Sequence, residues 1–131
     1  MSSIFVPDHA STQAFLKRVD EIMKRRMIAA CVVVEGAVKR NIGGQGGGRL
    51  YGSHRASVPG AFPARWTGRL GDSVHWWVSG LGRTLHGFIG SNEKHGPWLE
   101  YGTARMAPRP WLRRTIHEMR EAVARILLKG N

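Results

Sequence analysis

Residues 72–89 read DSVHWWVSGLGRTLHGFI. Val74, Trp76 and Val78 alternate with Ser73, His75, Trp77 and Ser79. That period of two predicts a strand with one buried face, because successive side chains of a strand point to opposite sides. GLGR follows as a turn, and TLHGFI at 84–89 predicts the returning strand of an antiparallel hairpin. A lone hairpin is marginal in water, so it must pack on something else in the chain.

The flanks supply the partners. Over 12–40, apolar residues recur at Phe15, Leu16, Val19, Ile22, Met23, Met27, Ala30, Val33, Val34, Ala37 and Val38. That spacing predicts one long amphipathic helix, with Ser11 or Thr12 as its cap and Asn41 and Gly43 at its stop. The run CVVV is β-branched, but the length of the periodic pattern favours helix over strand. After a turn and corner over 97–109, Pro110 suits the first turn of a closing helix over 110–128. Leu112, Ile116, Met119, Val123, Ile126 and Leu127 predict its apolar face, with Trp76, Leu112, Ile116 and Met119 as core. The expected fold class is α+β. A long N-terminal helix and a C-terminal helix pack on a small antiparallel sheet, 72–90, in a single domain spanning 1–131.

Residues 41–71 stand apart. They hold GGQGGG and then RLYGSHRASVPGAFPARWTGRL, with four arginines and no acid. Glycine and proline weaken regular elements, so this reads as an extended basic loop. Part of it is expected to be mobile in the isolated protein and to order in a complex. GGQGGG lacks the lysine and hydroxyl residue of a phosphate loop and no strand precedes it, so it reads as a flexible linker.

The chain has 20 Lys plus Arg against 9 Asp plus Glu, a formal net charge of +11 over 131 residues. Such a balance favours an acidic partner: nucleic acid, an anionic surface or an acidic protein. Cys31 lies in the apolar run IAACVVV and is expected to be a buried free thiol. MSSIFVPDHAS lacks the pattern of a signal peptide, and no 18-residue apolar span predicts a membrane helix, so a soluble protein is expected.

Catalytic and metal motifs are weak. No HExxH or CxxC occurs, and the serines lack a nucleophile-elbow context. His75 and His86, with Asp72 or Glu93 near, are a candidate pair across the hairpin, although a paired surface histidine is the commoner outcome. No enzyme, cofactor or metal reading emerges. Nucleic-acid binding has more support. Arg49, Arg55, Arg65, Arg69, Arg105, Arg109, Arg113 and Arg114 can neutralise phosphates, and Trp66 and Trp98 can stack on bases. Arginine and aromatic residues also mark protein interfaces, and composition does not separate the two readings.

Residues 98–114, WLEYGTARMAPRPWLRR, concentrate this chemistry. Trp98, Tyr101 and Trp111 surround a reversal built on Gly102, Pro108 and Pro110. At least two of these rings are expected to dock on the hairpin and closing helix. Glu100, the lone acid here, is expected to pair with Arg105 or Arg109, or with an arginine of a neighbouring subunit.

This stretch, continued to Ile116, resembles the small neck and tail-completion proteins of long-tailed bacteriophages and prophages. The matching positions are Trp98, Glu100, Tyr101, Gly102, Thr103, Met106, Ala107, Arg109, Pro110 and Trp111, with Pro108 as an extra residue. A second segment, SVPGAFPARWTGRLGDSV at 57–74, matches that family at Pro59, Gly60, Pro63, Thr67, Gly68, Leu70, Ser73 and Val74. The order of helix, hairpin and helix agrees, from about Phe15 to Leu128. Trp77 beside Trp76 and the GGQGGG tract depart from the pattern.

The resemblance implies a non-enzymatic virion protein of the neck or tail, made in the host cytoplasm, that completes the tail or joins it to the head. It implies self-assembly into a ring, often hexameric. It also implies partners in a head connector or stopper protein and a tail tube or terminator protein, and no membrane. A basic lumen would give non-specific contact with DNA. The interface residues expected on this reading are Arg49, Arg55, Phe62, Arg65, Trp66, Glu100, Arg105 and Arg109. The alternatives are a nucleic-acid-binding module with a basic, aromatic-containing surface, and a tail terminator or minor tail component.

Overall fold

The computed structural model describes residues 8–130 except 45, 49, 52–53 and 65–67. The chain folds as α+β. Helix α1 (His9–Asn41) is 33 residues long. It starts three residues earlier than the apolar pattern, and its cap is Asp8 rather than Ser11 or Thr12. The Asp8 carboxylate accepts the Ser11 N–H at 2.6 Å. That bond holds the carboxyl below its ordinary value. Lys39 and Arg40 in the last turn suit the negative end of the helix dipole.

The hairpin is β3 (His75–Ser79) and β4 (His86–Gly90), antiparallel, with Trp76 opposite Ile89 and Trp77 opposite Phe88. A 3-10 turn, Gly82–Thr84, joins them. The alternation places Val74 in the core and Trp76 and Val78 half-buried, while His75, Trp77 and Ser79 face solvent. Asp72 and Ser73 lie outside the strand, at the end of a short helix, α2 (Arg69–Ser73).

The described part of residues 41–71 includes a two-strand ladder and the short helix α2. Leu50–Tyr51 (β1) pairs with His54–Arg55 (β2). The glycine tract runs beside this ladder, and the Gly48 N–H donates to the Ala56 carbonyl at 2.8 Å. A Cβ at Gly46 would overlap the Arg55 and Ala56 carbonyls. The glycines here permit close backbone approach, a second use of glycine besides linker flexibility.

Helix α3 (His95–Tyr101) precedes the corner. The closing helix is α4 (Leu112–Glu118) and α5 (Arg120–Lys129), separated at Met119. α1 packs against the hairpin and against both closing segments. The core joins Val34 and Val38 of α1, and Ile42 just past its end, to Val74 and Trp111, with Leu70, Ile89, Leu112, Met119 and Val123 packed around them. Cys31 is a buried free thiol. Burial pushes its pKa up, against a smaller opposing hydrogen bond involving the Phe88 backbone.

Core expectations on the closing helix need correction. Ile116 is 43% exposed. Trp111 and Thr115 take the buried positions. Trp76, Leu112 and Met119 are only half-buried. No helix among the described residues is long and apolar enough to cross a membrane.

Candidate functional site

The corner is built around Glu100. Pro108 and Pro110 hold the chain extended before α4, and Trp111 offers no side-chain cap to that helix. Its first N–H groups therefore need an acceptor from elsewhere. Glu100, at the end of α3, provides it. Oε2 accepts the Trp111 and Leu112 N–H groups, each at 2.8 Å. Oε1 accepts the Arg113 N–H at 3.1 Å and the Arg113 guanidinium at 2.9 Å. Burial pushes the carboxyl up. The Leu112 N–H, the Arg113 guanidinium and the other two N–H donors outweigh it and hold the pKa below the ordinary value. The same bond raises that of Arg113.

The partner of Glu100 is thus Arg113, not Arg105 or Arg109. Glu100 is 4% exposed. Its carboxylate is turned inward to the helix start, and the alternative of an arginine from a neighbouring subunit is not needed to satisfy it. Gly102, with φ 77° and ψ 174°, ends α3 in a positive-φ conformation that favours glycine and turns the chain into the corner. Trp111 is the only one of the three corner rings that is buried; its indole N–H donates to the Gly96 carbonyl at 2.8 Å. Trp98 and Tyr101 are exposed, and the Arg113 guanidinium lies 4.6 Å over the Tyr101 ring.

The loop is fastened to this corner. Arg109 donates from Nε and Nη2 to the Ser57 carbonyl at 3.2 and 3.1 Å. The Gly60 N–H donates to the Pro108 carbonyl at 3.0 Å. Arg114 reaches the Gly60 carbonyl at 3.1 Å and stacks 4.4 Å over Phe62. Residues 57–62 and 108–114, distant in sequence, are therefore joined at one corner.

Of the residues expected at an interface, Phe62, Glu100 and Arg109 meet in this assembly. Arg105 projects at the tip of the Thr103–Met106 turn. Arg55 is exposed beside the glycine tract, donating to the Gly48 carbonyl at 2.9 Å. Arg49, Arg65 and Trp66 lie outside the described residues. Sequence reading missed the roles of Arg113, Arg114 and Ser57. Arg113 stands three residues after Pro110, and an acid that caps a helix from a distance leaves no local signature.

The histidine pair is not formed. His75 stands opposite Gly90 and His86 opposite Ser79, at the two ends of the hairpin. Each ring instead meets a backbone carbonyl, His75 that of Ser73 at 2.9 Å and His86 that of Thr84 at 2.7 Å. Trp77 and Phe88 stack between them on the outer face, 5.1 Å apart. Among the described residues, no group of three or more His, Cys, Asp or Glu side chains is placed to hold a metal ion.

The N-terminal end of α1 presents a separate, exposed surface. From Asp8 to Val19 every residue but Thr12 is exposed. This exposed end spans roughly 16 Å at the rise of an α-helix, and Leu81 of the hairpin tip borders a cleft with Leu16 and Lys17. Phe15, Leu16, Val19 and Ile22 are 66%, 48%, 37% and 37% exposed and fall on one face. No family model matches the chain, and neither does any curated protein or solved structure.

Proposed function

We propose that this chain is a structural protein of the phage neck, which assembles into a ring and completes the tail or joins it to the head. The observation that carries the reading is the exposed apolar stripe formed by Phe15, Leu16, Val19 and Ile22 in the N-terminal half of α1. A monomer in water gains nothing from leaving that face bare, and contiguous exposed apolar surface marks association sites. Where such a stripe meets a different face of the next copy the contact is heterologous, and it gives a ring when the rotation between copies closes. The resemblance at the Pro59–Pro63 and Glu100–Trp111 segments directs this general assembly reading to the neck, with head connector or stopper and tail tube or terminator proteins as neighbours. The work is assembly and not catalysis, and the product is located in the virion. A net charge of +11 suits a ring through which DNA passes.

Native mass and light scattering of the purified protein, at low and high salt and without nucleic acid, test the proposal. A discrete ring is expected, and Leu16→Glu should return it to monomer with unchanged circular dichroism. A strict monomer at every concentration, binding short duplex DNA tightly and losing that binding steeply with salt, overturns the ring and supports a nucleic-acid module instead.

A further inference from the structure

A groove of about 950 Å³ runs between the end of α1, α2 and the corner. Its size is in the range of ligand sites. Ile42, Leu70, Leu99 and Met106 contribute apolar surface to its lining. At the corner end, Arg105 and Arg109 line it as well. Neither guanidinium has an acidic partner among the described residues: Arg109 is engaged only with the carbonyls of Ser57 and Ala107, and Arg105 forms no ion pair. The other cations on the lining are balanced differently. Lys39 pairs with Glu35 at 3.2 Å, and Arg69 lies 4.0 Å from Glu93. Among the described residues, the uncompensated positive charge is therefore concentrated at one end, next to Met106 and Leu99.

We propose that this groove binds an extended peptide segment of a partner protein in which a carboxylate side chain adjoins large apolar ones. The apolar lining favours burial of hydrocarbon side chains. The two guanidiniums at the corner end favour a carboxylate, which they can meet with charge-assisted hydrogen bonds. A nucleic-acid strand fits less well. Phosphates need a continuous cationic track, whereas Asp72 also lines this groove and the unpaired charge lies at one end. The inference concerns a surface separate from the α1 stripe and stands without the ring.

Fluorescence anisotropy tests it with a labelled, end-blocked hexapeptide alternating Asp with Phe and Leu. Comparison probes replace Asp by Lys, replace Phe and Leu by Ser, or use a twelve-residue oligothymidine. Saturable binding of the acidic apolar peptide is expected, with at least tenfold weakening in Arg105→Glu. Gly71→Leu should weaken it similarly. A Cβ at Gly71 meets only Ile42, at 3.9 Å, so the larger side chain projects toward the groove without a backbone collision. Arg105 is exposed, so its substitution tests binding even if Gly71→Leu alters the fold. Equal binding of the serine peptide or of oligothymidine, or no saturable binding of the acidic apolar peptide, overturns the proposal. Dissociation of a self-associated species by the acidic apolar peptide, read by sedimentation, would reassign the groove to a second copy and overturn it too. Leu16→Glu is measured in parallel: a ring lost with peptide binding intact bears on the ring alone.

Discussion

Glu100 is the residue on which the corner turns. Its carboxylate answers the donors at the start of α4 that no local side chain reaches. Glu100→Ala leaves buried N–H groups without an acceptor and should cost about 3 kcal/mol. Glu100→Gln keeps the shape and one acceptor oxygen, and should cost about half as much. Urea unfolding checks both; no loss in the alanine variant would show that water replaces the carboxylate. The sign of the pH effect follows from the lowered pKa. The contribution is complete above the unfolded-state value, ordinarily 4.5, and drains away as pH falls through the folded value. Glu100→Gln should therefore flatten the acid limb of the stability profile. An unchanged slope would place the acid sensitivity on other carboxylates. Cys31 offers a simpler check at this scale. Being 5% exposed with its pKa raised, it should react slowly with an aromatic disulfide until denaturant is added. Rapid stoichiometric reaction in buffer would contradict its burial.

Among the elements, the closing helix shows how a periodic reading goes astray by a small rotation. The apolar spacing selects Leu112, Ile116 and Met119, yet Thr115 is 0% exposed and Ile116 is 43% exposed. Thr115 is acceptable inside because its hydroxyl donates to the Trp111 carbonyl and accepts from Asn41 Nδ2, at 2.6 and 2.9 Å. The bonds from Glu100 and the Trp111 indole set the angle at which this helix enters the core. Trp111→Ala should cost about 3–5 kcal/mol, and Ile116→Ala less than about 1 kcal/mol. Equal costs in denaturant titrations would reject the burial described for this helix. The β1–β2 ladder makes a separate demand. Gly46→Ala should abolish hydrogen-exchange protection at Gly48 while global stability falls by less than about 1 kcal/mol, since this ladder lies apart from the main core. Retained protection would mean the glycine tract tolerates a side chain there.

For the whole molecule, α1 has two tasks. Its C-terminal half is core, through Val34 and Val38; its N-terminal half carries an exposed stripe. Periodicity shows one continuous apolar face and cannot show where the covering ends, because coverage depends on the reach of elements remote in sequence. The hairpin tip at Gly82 comes near Asp20, and Arg26 holds the Leu127 and Leu128 carbonyls at 3.2 and 3.1 Å. Leu81 of the hairpin tip borders a cleft with Leu16 and Lys17, yet every residue from Asp8 to Val19 but Thr12 stays exposed. Val19→Glu should therefore leave the unfolding midpoint nearly unchanged and disrupt self-association, with sedimentation as the readout; a monomeric wild type would remove association from that face. The sequence by itself determined the α+β class, the long first helix, the hairpin and its inward face, and the buried thiol, because each follows from local period or immediate neighbours. Only the tertiary structure decided that Glu100 serves Arg113 and the helix start, that the glycine tract lies against a ladder, and that the two Pro-containing segments join beside a groove. Those outcomes depend on long-range donors and acceptors finding partners, which no local pattern encodes.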